Sequence, residues 1–211
     1  MLEGGESLDR RLKRCSWKEI VRAFLCVALM ASAFTGVMAD TLRGVVVAVQ
    51  DGDTLTLLDS SKVQHNVRLA GIDAPEKGQP YGNRSKEGLS NLTYMRQAAV
   101  EWHKRDRFGR VVGKVIVDSQ DVNLAQVASG LAWHYVAYAK EQAPNDRALY
   151  SDAEAGARDR HIGLWQDSAP TAPWDYRRAK RDGAALPLEA IRGASWIAAT
   201  SHTDTPDAFL D

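Results

Sequence analysis

Between Leu42 and Ile72, three apolar runs are separated by turns of only a few residues. That spacing confines this part of the chain to an antiparallel meander. Gly44 to Val49 is β-branched and apolar, the composition of a strand buried on both faces. Asp51-Gly52 turns the chain, and Thr54 to Leu58 resumes the sheet by alternation. Asp59-Ser60-Ser61 turns it again, and Val63 to Ile72 reads as the third strand. Within it, Arg68 is flanked by Val67 and Leu69, so a guanidinium must face water or find an anion. Pro75 ends the ladder and pushes Ala74 into an extended backbone.

The chain then changes character. Leu89, Leu92 and Met95 fall at helical spacing and predict a helix from Tyr81 to Arg96. Ala98 to Lys104 and Val111 to Val117 read as a fourth and a fifth strand, joined by a turn at Asp106 to Gly109. A short helix from Val122 to Ser129 is closed by Gly130, and another runs from about Asp146 to Arg160 before Gly163. Five strands with one helix inserted after the third describe an α+β fold. It is a small five-stranded Greek-key β-barrel of the oligonucleotide-binding (OB) type, with about three helices. An α+β sandwich is the structural alternative. After Trp165 periodicity fades: Pro170, Pro173, Pro187 and many alanines read as a C-terminal extension over 167–211, partly disordered. Trp174-Asp175-Tyr176 is able to pack back on the domain, and the segment beyond Asp182 reads as dispensable.

Residues 1–39 read as separate from the domain at 40–166. Arg10, Arg11, Lys13, Arg14, Lys18 and Arg22 precede the apolar run Ala23 to Phe34, and Val37-Met38-Ala39 supplies a small-residue cleavage site. This is the layout of a signal peptide cut after Ala39, which implies a periplasmic or secreted protein. An uncleaved anchor over residues 23–39 is the alternative. Both cysteines, Cys15 and Cys26, precede the cut, so the mature chain relies on its apolar core rather than on disulfides. Six of the 27 Lys and Arg and four of the 27 Asp and Glu lie before residue 40, so the remainder carries a net charge of −2. A general electrostatic attraction to nucleic acid is thereby excluded, and any phosphate recognition must be local.

The chemistry concentrates in three pieces. D-G-D-T (Asp51 to Thr54) and D-A-P-E (Asp73 to Glu76) place carboxylates at strand ends, and D-R-F-G-R adds Arg110 to the Arg68 of the third strand. Carboxylates and arginines in this mixture suit a hard cation and a phosphate. Each piece alone is weak. Asp-Gly turns are common, and the twelfth position from Asp51 is Lys62, not the Glu of an EF-hand. Taken singly, Arg68 and Arg110 read as solvated, and removing Arg68 would relieve repulsion from like-charged neighbours. The five histidines show no ligand spacing, and no nucleophile elbow or phosphate-binding glycine loop is present. Trp133, Tyr135 and Tyr138 are core aromatics or a base-stacking cluster.

In order, D-G-D-T, V-R-L-A-G-I-D-A-P-E, D-R-F-G-R, V-N-L-A-Q-V-A-S-G-L-A and G-L-W resemble the staphylococcal-nuclease-like (thermonuclease) family over residues 42–166. The resemblance implies the five-stranded barrel and calcium-dependent hydrolysis of phosphodiester bonds in DNA and RNA, leaving 3′-phosphate ends. It implies that Asp53, Asp73 and the carbonyl of Ala74 hold Ca2+, that Glu76 activates the attacking water, and that Arg68 and Arg110 hold the phosphate. Arg107, Tyr135 and Tyr138 are its candidate substrate contacts. The chain departs from the family archetype in having Arg107-Phe108 in place of Lys-Tyr, in the spacing of Tyr135 and Tyr138, and in lacking a strongly basic character. The implied partner is nucleic acid, DNA or RNA, bound as substrate by a monomer with no protein partner. The alternative is a non-catalytic nucleic-acid-binding module of the same fold.

Overall fold

Val46, Leu55, Leu57, Val67, Val100, Val111 and Val115 are fully removed from solvent and point into one interior. The strands that carry them therefore have to close on each other. In the computed structural model, which describes residues 40–183, β1 (Asp40–Val49) pairs antiparallel with β2 (Thr54–Leu58) on one side and with β5 (Gln97–Arg105) on the other. β2 pairs with β3 (Gln64–Leu69), and β5 with β6 (Val111–Val117). A parallel pairing of β3 with β6, Val67 opposite Val111, closes the barrel. Closure leaves these strands no free edge along that seam. Register shifts between Val46 and Ala48, and between Trp102 and Lys104, supply the local bends that a small barrel needs.

The third strand is shorter than the sequence predicts. It stops at Leu69. Gly71, at φ +73°, reverses the chain, and Ile72–Asp73 form a separate strand β4. β4 pairs not with the barrel but with β8 (Trp133–His134), while β7 (Gln120–Asp121) extends β6 as a hairpin. The left-handed backbone at Gly71 is the physical reason for the break. Asp73 therefore sits just past a corner, in the short β4–β8 ladder rather than in the barrel.

The helices are α1 (Gly82–Thr93), α2 (Val122–Ala128), α3 (Pro144–Asp159) and α4 (Pro173–Arg181), with 3-10 turns at Val136–Glu141 and Gly163–Gln166. α1 ends before Met95, which is exposed at a positive φ and takes no part in the apolar stripe predicted for it. α3 begins at Pro144, where proline has no amide to lose. Asp121 caps α2 by accepting from the Leu124 amide at 3.0 Å, and it also accepts from the Tyr150 hydroxyl at 2.9 Å, tying α3 to the same corner.

The domain does not end at 166. α4 packs on the barrel through Trp174, whose ring stacks on Tyr135 (5.3 Å, 26°) and meets Trp133 edge-on (5.6 Å). Gln79 Nε2 donates to the Thr171 carbonyl at 2.6 Å, and Tyr176 is buried. The sequence signal for this element is poor because its helix is short and mostly polar, and its aromatic residues acquire a role only through tertiary contact. The proposed signal segment 1–39 and the tail beyond residue 183 lie outside the described residues.

Candidate active site

Two turns meet at one end of the barrel. In the first, Asp51-Gly52-Asp53, the Asp53 amide donates to Asp51 Oδ1 at 3.0 Å, and the Gln50 amide donates to the Thr54 carbonyl at 2.9 Å. Gly52 is required here by close approach, since a Cβ would run into the Ser85 side chain of α1 and the Ala74 Cβ. The second turn is the corner from Gly71 to Glu76. The Ala74 amide donates to Asp53 Oδ2 at 2.6 Å, joining the two turns directly.

Buried amides of α2 hold both turns in place. Gln126 Nε2 donates to the Gly52 carbonyl (2.8 Å) and the Ser85 carbonyl (3.0 Å). Asn123 Nδ2 donates to the carbonyls of Ala70 (2.9 Å) and Gly113 (3.2 Å), and its Oδ1 accepts from the Val115 amide at 3.1 Å. These contacts give V-N-L-A-Q a structural purpose: each amide satisfies backbone groups that the turns would otherwise leave unpaired in the interior.

The acidic groups converge on Arg68. Asp53 is 5% exposed and Asp73 only 1%. Arg68 Nη1 lies 2.9 Å from Asp53 Oδ2, and Nη2 lies 2.9 Å from Asp73 Oδ1. The guanidinium is mostly withdrawn from solvent, contrary to the expectation for Arg68 taken alone, and the like charge near it, Arg177, shares Asp73 with it. It bridges two buried carboxylates, and its removal would leave both without that partner. Burial pushes the Asp53 carboxyl up to about 7, against the pull of Arg68, with Asp51 and Asp73 adding to the rise.

The same cleft, of about 880 Å³, is lined by Glu76, Arg107, Arg110, Tyr135 and Tyr138 together with Asp53, Arg68, Asp73 and Ala74. Every residue that the family resemblance assigns to metal, catalysis or substrate therefore lines one cleft, whereas Trp133 does not. Arg110 is held by Asp106, which accepts from Nε at 2.7 Å, and its guanidinium lies 5.5 Å from the Phe108 ring centre. These contacts, with hydrogen bonds from the Phe108 and Arg110 amides, keep the Asp106 carboxyl below the usual range despite its partial burial. Arg107 covers the same ring at 4.8 Å. Phe108 thus serves as a platform for two arginines. Tyr135 and Tyr138 sit 5.2 Å apart, the first spent on Trp174 and the second half exposed beneath Lys104.

Arg177 is the residue that the sequence did not bring forward. From α4 it donates through Nη2 to Asp73 Oδ2 at 2.7 Å, and through Nη1 to Glu76 Oε1 at 2.7 Å and Asp73 Oδ1 at 3.2 Å. This forked contact is the geometry guanidinium groups favour with carboxylates. Only the pairing of a tryptophan and tyrosine with Arg177-Arg178 hinted at it, in a stretch that read as tail.

Comparison with known proteins assigns the family. The family described as staphylococcal nuclease homologue matches residues 66–167. The chain is 38% identical over 146 residues to an uncharacterized endonuclease of Haemophilus influenzae, an alignment covering 69% of this chain and 79% of that protein. The chain belongs to the staphylococcal nuclease family. It is also 38% identical over 149 residues to the micrococcal nuclease of Shigella flexneri (66% of this chain, 83% of the relative). An uncharacterized endonuclease of Escherichia coli matches at 35% over 161 residues (76% and 100%). The family match begins inside β3 and ends before α4, so Arg177 lies outside it.

The donor set suits the hard cation that the family resemblance implies. Two buried carboxylates converge on Arg68, with Asp73 shared by Arg177, and the Ala74 amide ties the second turn to Asp53 Oδ2 at 2.6 Å. Among the described residues no three His, Cys, Asp or Glu side chains converge as a complete cage. Carbonyl and water oxygens would have to fill the remaining positions, as they do for calcium.

Proposed function

We propose that this nuclease hydrolyses phosphodiester bonds of DNA and RNA as a calcium-dependent monomer and leaves 3′-phosphate ends. The observation that carries the reading is the bridged pair Asp53–Arg68–Asp73, facing Arg110 and Glu76 across one open cleft. Asp53, Asp73 and the Ala74 carbonyl are the groups we assign to calcium. When bound, the ion supplies Lewis-acid polarisation of the phosphate.

The chain's own residues supply the rest. Arg68 and Arg110 hold the non-bridging phosphate oxygens from two sides, and Asp106 and Phe108 keep Arg110 oriented before substrate arrives. Glu76 takes a proton from water as the water oxygen forms its bond to phosphorus. The bond from phosphorus to the 5′-oxygen breaks, the 5′-oxygen gains a proton from solvent, and phosphate stays on the 3′ side. Arg177 engages Glu76 Oε1, so we assign Oε2 to the water. Arg107, Tyr135 and Tyr138 line the approach for the flanking nucleotide. Digestion of plasmid DNA and of RNA by the purified protein, in calcium and in chelator, tests this. Cleavage of both in calcium and neither in chelator is expected, with 3′-phosphate on the new ends. Undiminished cleavage in chelator would refute the metal requirement.

A further inference from the structure

The cleft does not stop at Arg177. Beyond it lies a second, shallow depression of about 320 Å³, lined by Glu76, Lys77, Tyr176, Arg177, Lys180 and Arg181. Glu76 and Arg177 line both hollows, so the two adjoin at this ion pair. The cations here are held differently from one another. Arg177 is occupied by Asp73 and Glu76. Among the described residues Lys77 and Lys180 form no ion pair, and Arg181 has only a loose contact with Asp182 at 3.6 Å. Lys77, Lys180 and Arg181 are all exposed.

The elements that carry them are nevertheless anchored. Lys77 follows the corner that carries Asp73 and Glu76. Lys180 and Arg181 lie about one helical turn, ~5 Å, beyond Arg177 on α4. α4 itself is anchored by the buried Tyr176, by Trp174 stacked on Tyr135, and by the Arg177 fork. The chain carries 27 basic and 27 acidic residues, so no general field draws in a polyanion. A cluster of cations beside the reacting position has a specific use on such a surface.

The geometry points to α4 and Lys77 as a second phosphate-binding strip, gripping the backbone of a polynucleotide at a phosphate next to the one being cleaved. The substrate it selects is a nucleic acid longer than a dinucleotide, contacted through its phosphates and without regard to base. The inference rests on the nuclease reading above. Because the strip touches only the flanking chain, it affects capture of long substrates and leaves the bond-breaking step alone.

The test is the triple variant Lys77→Gln/Lys180→Gln/Arg181→Gln, assayed in calcium on a dinucleotide and on a long single-stranded DNA over a range of salt. The KM for the long strand is expected to rise about tenfold near 0.1 M salt, with kcat unchanged, and its logarithmic dependence on salt to become shallower by ~2. The kcat/KM for the dinucleotide is expected to stay within about twofold of the parent, since it has no flanking phosphate to lose. Affinity for a labelled oligonucleotide in chelator, read by fluorescence anisotropy, should fall in parallel. A parent enzyme that cleaves both substrates and a variant indistinguishable from it on the long strand would overturn the strip alone. An equal loss on the dinucleotide would also overturn it, by placing the effect in the reacting site. A parent that cleaves neither substrate would remove the nuclease reading and the strip with it.

Discussion

Arg68 shows how far a single residue can be read. Its place between Val67 and Leu69 leaves the guanidinium either to face water or to find an anion, and taken alone it reads as solvated. The anions, Asp53 and Asp73, come from two different turns: the β2–β3 pairing sets Asp53 beside Arg68, and the reversal at Gly71 returns Asp73 to it. A charge in an apolar strand was legible; its partners were not. Arg68→Ala is therefore expected to destabilise the protein by about 3–5 kcal/mol at neutral pH, as removal of one partner of a buried pair does. A thermal melt showing an unchanged or higher Tm would contradict this. Asp53 gives the opposite sign. Its carboxyl is raised to about 7, so the folded state holds a proton that the unfolded chain releases near pH 4. Stability from this group is present at low pH and is lost as pH rises from about 4 through 7. Asp53→Asn should raise the Tm in chelator by a few degrees at pH 8 and change it little at pH 4. Parallel melts at the two pH values measure the difference, and equal shifts would refute the assignment.

At the scale of elements, the strands and the first three helices were legible because each carries its own period and its own punctuation. Val111 to Val117 alternates through the barrel wall, and Asp121 and Gly130 bracket α2. The two-residue strands β4, β7 and β8 and the helix α4 escaped. β4 is too short to show a period, and its separation from β3 depends on the backbone of Gly71. α4 is polar over most of its length, and its structure rests on Trp174 meeting Tyr135 and Trp133. Trp174→Ala should loosen this element at a cost of about 2 kcal/mol and release the Arg177 fork. Limited tryptic digestion reads this out, because Arg177, Arg178 and Lys180 become cleavable when α4 detaches. Cleavage there at the rate of the parent protein would show that α4 is held by other means.

Across the whole molecule, the barrel and the helix that clamps it act as a jig. β3 and β6 run parallel at the seam, which sets Arg68 and the start of the Arg110 strand side by side. α2 pins the two carboxylate turns through Asn123 and Gln126, and α4 covers them with Arg177. Motif order in the sequence disclosed which residues meet, since each short motif lies at a strand end or in the helix that buttresses it. The clamp by α4 was hidden because it joins residues about a hundred positions apart, Asp73 and Arg177. We propose that this jig presents Glu76 as the proton acceptor for water attacking a phosphate held by Arg68 and Arg110. The most direct measurement is phosphodiester turnover by Glu76→Gln at saturating calcium, with a thermal melt of the same sample. Glutamine keeps the shape and can still meet Arg177, but it cannot take the proton. Turnover should fall by about 10²–10⁴ while Tm moves by no more than a few degrees. Turnover near that of the parent enzyme would place the base elsewhere and contradict the account.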